Sequence, residues 1–334
     1  MTLTRQETRS LLLARGPAQA ELFEESRKAR DRHWGRTAIL RGVIELTNVC
    51  RVNCDYCPMR RDNISGNDTY FLTGDQIVRM AQAIKDTGID VVLLQGGETP
   101  SVLPLLEEAI PKIRELFDGR VEILLNTGNF KFAQYEKLRK LGATSYILKH
   151  ETSDPVLHLA IRHETLEKRL ACMRDLRTLG FKIGTGLISS LPGQTLDSVI
   201  DDIELAGELD ASMCSVSPFV PAPNTPMELS PVGDNDLALN IIACLRLSYP
   251  HILIPSVSAL ERVGTGGQSR GLEAGANVMT VNFSSLVDQQ RYLIYGKERF
   301  VVTLDHVRDI AERSGLTLRG SAFIDDPEDN RIPA

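Results

Sequence analysis

Residues 45–63 read ELTNVCRVNCDYCPMRRDN and place Cys50, Cys54 and Cys57 in one short loop directly after an apolar run at 42–46. That run and loop set a pattern for the whole chain, which keeps returning to a short apolar run and then a helical periodicity. The runs fall at 42–46, 91–94, 121–125, 144–148, 182–188, 212–217, 252–255 and 278–281. Helical patterns lie between them near 74–87, 103–117, 131–141, 165–179, 195–208, 233–248 and 267–274, with Asp, Ser or Thr starts and stops such as Gly88, Gly142 and Gly180. Eight such alternations over about 240 residues predict a parallel (β/α)8 barrel, with a six-stranded partial barrel as the other form open to this pattern.

The rest of the chain is organised around that barrel. Residues 1–35 carry leucine and alanine on one helical face through Leu11, Leu12, Leu13, Ala20, Leu22 and Phe23, which predicts a helical extension bracing the barrel. The barrel domain is expected over 36–320, and residues 321–334, ending in the polar DDPEDNRIPA, are expected to be a flexible tail. With 42% hydrophobic residues, 25% charged residues and a net charge of −6, the 334-residue chain has no strongly basic balance that would suit nucleic acid or an anionic membrane. Small molecules are its expected partners. The N-terminal MTLTRQETRSLLL lacks a basic segment followed by a continuous apolar run, and no later segment approaches about 18 uninterrupted apolar residues, so a cytoplasmic location is expected. The six cysteines are then expected to be reduced.

Thiolate is the usual protein ligand of iron–sulfur clusters, and a cluster of four irons held by three cysteines keeps one iron open to a small molecule. A structural zinc site normally takes four protein ligands in paired spacings, and three unrelated buried thiols would behave as small hydrophobes. The tight CxxxCxxC spacing with Tyr56 before the third cysteine favours the cluster. This pattern resembles the radical S-adenosylmethionine (SAM) superfamily. The resemblance implies that SAM binds the open iron through its amino and carboxylate groups and is reductively cleaved to methionine and a 5′-deoxyadenosyl radical.

In a barrel of this kind, chemistry gathers at the C-terminal strand ends. After the second run stand Gly96, Gly97 and Glu98, where two glycines allow close backbone approach and the family's GGE holds the methionyl amine. After the third, Thr127 can offer a hydroxyl to the cavity. The fourth ends Lys149-His150-Glu151-Thr152, with Glu151 suited to the SAM ribose or amine. Arg169, in EKRLACMRDL, can reach a carboxylate, and Arg162 is a second such donor; His158 and His163 are expected at the surface. Ile188 ends the fifth run before a Pro-Gly turn and is placed to stack an adenine, as the family uses this strand. The sixth runs into SPFVPAPNTP, whose four prolines make a stiff wall. Ser217, Ser258, Met279 and Tyr295 complete the candidate lining, the last two where the family closes its cavity. No catalytic acid or base is assigned.

Longer stretches, among them KHETSDPVLHLAIRHETLEKRLACMRDLRTLGFKIGTGLISSLPGQT, SPFVPAPNTP and LEAGANVMTVNF, are similar to the biotin-synthase-like branch of this superfamily, which contains the [FeFe]-hydrogenase maturase HydE and methylornithine synthase. The resemblance implies a [4Fe–4S] cluster, SAM, an external low-potential electron donor of flavodoxin or ferredoxin type, and a small amino-acid-derived or thiol-containing substrate. Cys172, Cys214 and Cys244 stand singly, so the second cluster that sulfur insertion needs is not expected. After the seventh run the chain reads SVSALE, with Ala259 where methylornithine synthase presents an acid and Glu261 as its only near substitute. The remaining alternatives are a carbon-skeleton mutase and, from another class, a non-catalytic iron–sulfur carrier or sensor.

Overall fold

The computed structural model describes residues 3–63 and 68–323. Its strands are β1 (Thr37–Glu45), β2 (Val91–Gln95), β3 (Glu122–Asn126), β4 (Ser145–Ile147), β5 (Lys182–Ser189), β6 (Met213–Pro218), β7 (Val278–Asn282) and β8 (Thr317–Arg319). They pair in parallel in the order β6-β5-β4-β3-β2-β1-β7, with β8 beside β1. The gap between β6 and β7 is filled by residues 252–256 through bridges Met213–Leu253 and Pro255–Val278. The Cys214 amide donates to the Leu253 carbonyl at 3.0 Å, and the Ser256 amide to that of Val278 at 2.9 Å. The expected eight-membered ring is therefore closed. Its seventh member is a bridge rather than a regular strand because Pro255 has no N–H to give the ladder.

Strand pleating sorts side chains between two cores. Ile39, Val43, Val91, Leu93, Leu124, Ile147, Met213, Leu253 and Val278 point inward and pack together inside the ring. Alternate residues such as Leu40, Ile44, Val92, Leu94 and Met279 point outward into the larger core beneath the helices. Toward the C-terminal strand ends the inward positions turn polar, at Glu45, Gln95, Asn126, Lys149 and Asn282, which line a cavity instead of a core.

The N-terminal extension forms helices Arg5–Leu12 and Pro17–Trp34, the first opened by a Thr4/Glu7 capping box. They brace the barrel by buried polar contacts: Gln19 donates to Asn240 at 2.9 Å, Ser26 to the Ala274 carbonyl at 2.7 Å and Arg30 to the Leu272 carbonyl at 2.8 Å.

Four helices fall outside the expected alternation: Pro155–Arg162, Ala259–Val263, Leu286–Arg291 and Leu304–Arg313. So does β8, which joins β1 through Thr37↔Thr317 where β1 has not yet reached β2. Residues 321–323, expected in the mobile tail, continue this attachment. Phe323 lies against the interior core, its ring 3.6 Å from the Lys182 ammonium, and closes the N-terminal end of the ring. The remainder of the tail, including 325–334, lies outside the described residues. Among the described residues no helix is long and apolar enough to cross a membrane.

Candidate functional site

The loop after β1 carries Cys50, Cys54 and Cys57 into a cavity of about 180 Å³ at the C-terminal strand ends. The same cavity is lined by Tyr56, Gly96, Gly97, Glu98, Glu151, Arg162, Arg169, Ile188, Ser217 and Tyr295. Segments at or beyond the C-terminal ends of six strands, β1, β2, β4, β5, β6 and β7, thus bring these sequence-derived candidates together. The loop is shaped for this position: the Arg51 amide donates to the Glu98 carbonyl at 2.8 Å and the Gly97 amide to Thr47 at 3.2 Å. A Cβ at Gly97 would lie 2.1 Å from the Val49 carbonyl oxygen, so the close approach needs glycine. At Gly128, where φ is +86°, a Cβ would collide with the Glu98 side chain, and this bare backbone leaves room for the carboxylate.

All three loop cysteines are free thiols. Burial raises the affinity of each for its proton, and at Cys57 the neighbouring Cys54 and Cys50 add to that effect. At Cys54 the opposing influences come from Arg162, then a hydrogen bond with Tyr56, and Arg169. Three thiolates this close and this buried need a cationic partner to stay ionised together. Among the described residues no three His, Cys, Asp or Glu side chains converge as ligands of a single ion. Three thiols on one short loop, all lining the same cavity, are a donor set that fits an iron–sulfur cluster.

Glu98, buried, is gripped by three guanidinium groups: Arg51 at 2.5 Å, Arg162 at 3.4 Å and Arg169 at 3.4 Å. Arg162 also reaches Glu151 at 3.8 Å and donates to the Tyr56 hydroxyl at 3.3 Å. Burial works against the charge of Arg162, but Cys54, Tyr56, Glu98 and Glu151 outweigh it and hold the group firmly protonated. Arg169 is oriented by Asn129 at 2.8 Å. Glu151 stands at φ +64°, a conformation uncommon for a non-glycine residue. Beside these charges, Ile188 packs with Ile161, Leu191, Phe219, Tyr56 and Leu157 as an apolar wall, and Phe219 and Val220 bring the proline-rich stretch to the cavity as expected.

Below lies a second cavity of about 140 Å³ inside the ring, sharing Gln95, Asn126, Lys149, Ile294 and Tyr295 with the first. Ser258 lines this deeper chamber, with Arg41, Glu45, Ser215, Ser256, Thr280, Asn282 and Arg299. Arg41 donates to Thr280 at 2.5 Å, and burial lowers its pKa to about 10. Glu45 is taken by a two-pronged contact from Arg299, at 2.5 and 2.7 Å.

Several expectations need correction. Met279 does not line either cavity: it is buried in the outer core, because the odd positions of β7 face the helices while Thr280 and Asn282 face in. Thr127 is also turned away, its hydroxyl 2.9 Å from that of Tyr146. His158 is fully buried rather than at the surface, with Nδ1 3.0 Å from the Glu164 carbonyl; His163 is exposed as expected and meets Asp55. Glu261 is spent on capping the Gly266 and Gln268 amides at 3.0 and 2.8 Å, so it does not replace the acid that Ala259 lacks. Tyr295 lines both cavities as expected, but sequence reading missed the rest of its segment, Tyr292–Val302, as their cover, since its contacts depend on a long return to β1.

A ring of parallel strands with three thiols after the first strand and a glycine pair after the second defines a class. The chain belongs to the radical SAM superfamily, whose family model matches residues 44–206. It is 36% identical over 276 residues to the [FeFe] hydrogenase maturase subunit HydE of Thermotoga maritima, covering 82% of this chain and 78% of that protein. It is 27% identical to 3-methylornithine synthase of Methanosarcina acetivorans, covering 83% and 79%. A crystal structure of methylornithine synthase superposes with a TM-score of 0.84 at 25% identity, covering 99% of this chain and 97% of that one. The chain is a HydE-like radical SAM enzyme whose cofactors are a [4Fe–4S] cluster and SAM. This sets aside the non-catalytic carrier.

Proposed function

We propose that Cys50, Cys54 and Cys57 each ligate one iron, and that the cavity beside them holds SAM against the fourth. When bound and reduced, this cofactor pair supplies a 5′-deoxyadenosyl radical. The chain's own residues hold the reactants and keep water away from them. The backbone at Gly96 and Gly97 receives the methionyl amine, since the Glu98 carboxylate is committed to three arginines. Those arginines in turn are fixed by Glu98, and Arg169 presents its guanidinium to the methionyl carboxylate. Glu151 faces the ribose, and Ile188 with its apolar neighbours faces the adenine. Tyr56 packs into that wall and shields the cluster loop.

The substrate occupies the deeper chamber, where Ser258 and Tyr295 lie, with Ser217 on the boundary wall above. We infer a small anionic compound, amino-acid-derived, because the charged groups reaching that chamber are Arg41 and Lys149 while its one lining carboxylate, Glu45, is neutralised by Arg299. A diamino substrate would want an unpaired acid. The fold likeness to methylornithine synthase keeps a carbon-skeleton mutase as the second reading, but Ala259 and the capping role of Glu261 weigh against it. The electron comes from an external low-potential protein of flavodoxin or ferredoxin type. The convergence of thiols, arginines and apolar wall on one cavity carries this reading. Anaerobic reconstitution with SAM and dithionite tests it: formation of 5′-deoxyadenosine is expected, and intact SAM with a fully iron-loaded sample would overturn it.

A further inference from the structure

Two wall loops of the upper cavity hang from one side chain that never touches the cavity. Asp202, on the helix Leu196–Glu208, is fully buried and absent from the lining. Its Oδ1 accepts the Ser153 amide, from the loop after β4 that presents Glu151, and lies 3.5 Å from His150 Nε2. Its Oδ2 accepts Gln194 Nε2 at 3.2 Å, from the turn after β5 that presents Ile188. The same Gln194 Nε2 donates to the Ile188 carbonyl at 3.0 Å, while Gln194 Oε1 accepts the Leu191 amide at 3.3 Å. His150 is anchored on its other side by Thr185 at 2.8 Å. Both loops carry a residue in the left-handed region, Glu151 at φ +64° and Ser190 at φ +63°, and such backbone persists where its surroundings over-determine it.

We propose that Asp202 is a positioning residue for SAM, coupling the Glu151 loop to the Ile188 turn so that ribose and adenine walls are set together. A carboxylate is required because two different loops each need an acceptor oxygen from it. An amide has one oxygen, so Asp202→Asn can satisfy Ser153 or Gln194 but turns an NH₂ group on the other. Rotating Gln194 to meet that NH₂ would surrender its bonds to Ile188 and Leu191. The assignment of the walls to SAM rests on the function proposed above.

The test uses the reconstituted holoenzyme of Asp202→Asn and Gln194→Leu, the second leaving Asp202 bonded to Ser153. Iron content, SAM affinity from the SAM-induced change in the cluster's electron paramagnetic resonance spectrum, and amide exchange across 150–153 and 188–194 are compared with the unmodified protein. Unchanged iron content, at least about tenfold weaker SAM binding and faster exchange in the Ile188 turn are expected for both variants. A role confined to folding would lower stability and iron content but leave SAM affinity alone in the loaded fraction. SAM affinity within twofold, with exchange unchanged in both loops, would overturn the proposal. If Asp202→Asn does not fold, Gln194→Leu decides by the same criteria. If the unmodified protein shows no SAM response, the cofactor assignment fails, and the exchange data alone decide whether Asp202 couples the loops.

Discussion

Replacing Arg299 by leucine should free the segment that covers both cavities. Arg299 and Glu45 form a two-pronged contact with side chains 8% and 2% exposed, and Arg299 also donates to the Gln289 carbonyl at 3.1 Å. Removing one member of a buried pair leaves the other charge uncompensated, at a cost of about 3–5 kcal/mol. Burial already raises the pKa of Glu45 with Arg299 present as the main opposing influence, so the lone carboxylate is poorly tolerated. The strain falls first on the cover, which is held elsewhere by backbone contacts such as Asn282 N–H to the Val302 carbonyl at 3.0 Å. Local opening made easier by about 3–5 kcal/mol accelerates exchange of protected cover amides by roughly 10²–10⁴-fold. Hydrogen exchange with mass spectrometry over 283–302 measures this directly. The double variant Glu45→Leu with Arg299→Leu removes both charges and should regain most of the protection. Less than about fivefold acceleration in Arg299→Leu, or a double variant no better than the single, would refute the idea that the ion pair holds the cover.

Arg169→Met removes a charge-assisted contact to the methionyl carboxylate while Arg51 and Arg162 keep Glu98 paired; SAM affinity should fall by about 10–150-fold, corresponding to roughly 1.5–3 kcal/mol, with iron content retained. Cys54→Ala should abolish cluster assembly, read as iron per chain and loss of the cluster's visible absorption. Because burial raises the pKa of all three loop thiols, ligation must expel their protons, and iron loading against a competing chelator should improve steadily as pH rises from 7 to 9. Burial and then Arg162 lower the pKa of His158 from 6.5 to about 4, so its neutral form is favoured by folding. That contribution is complete above pH 6.5 and is lost as pH falls toward 4, at a cost of about 3 kcal/mol; His158→Gln should flatten this acid limb in thermal unfolding.

Most of the ring was readable because its strands are short apolar runs set between helices, several of which end at a glycine such as Gly142 or start at a capping threonine such as Thr73 or Thr195. The cysteine loop, GGE and Glu151 were readable for a different reason: each sits just past a strand end, where topology leaves few places to point, whereas Arg169, within the helix Leu166–Thr178, and Ile188, within β5, were legible through the family resemblance. Side-chain facing was less accessible. Met279 and Thr280 are neighbours with opposite fates, and a register uncertain by one residue exchanges them. Thr127 was lost to Tyr146, a partner 19 residues away that no local pattern announces. β8 and the Glu45–Arg299 pair depend on contacts more than 250 residues apart, so neither leaves a period or a motif.

The attachment of β8 and Phe323 makes the barrel a vessel with one door. At the closed end only about 30 Å³ remains, between Arg41, Lys182 and Phe323, too little for more than a water or two. With the Tyr292–Val302 cover shut, the deeper chamber opens upward, past the place assigned to SAM. That route predicts an order of events: the substrate enters first, SAM follows as a stopper, and the product leaves last. An enzyme built this way should show compulsory-order kinetics, with SAM at high concentration trapping it as an unproductive, substrate-free complex.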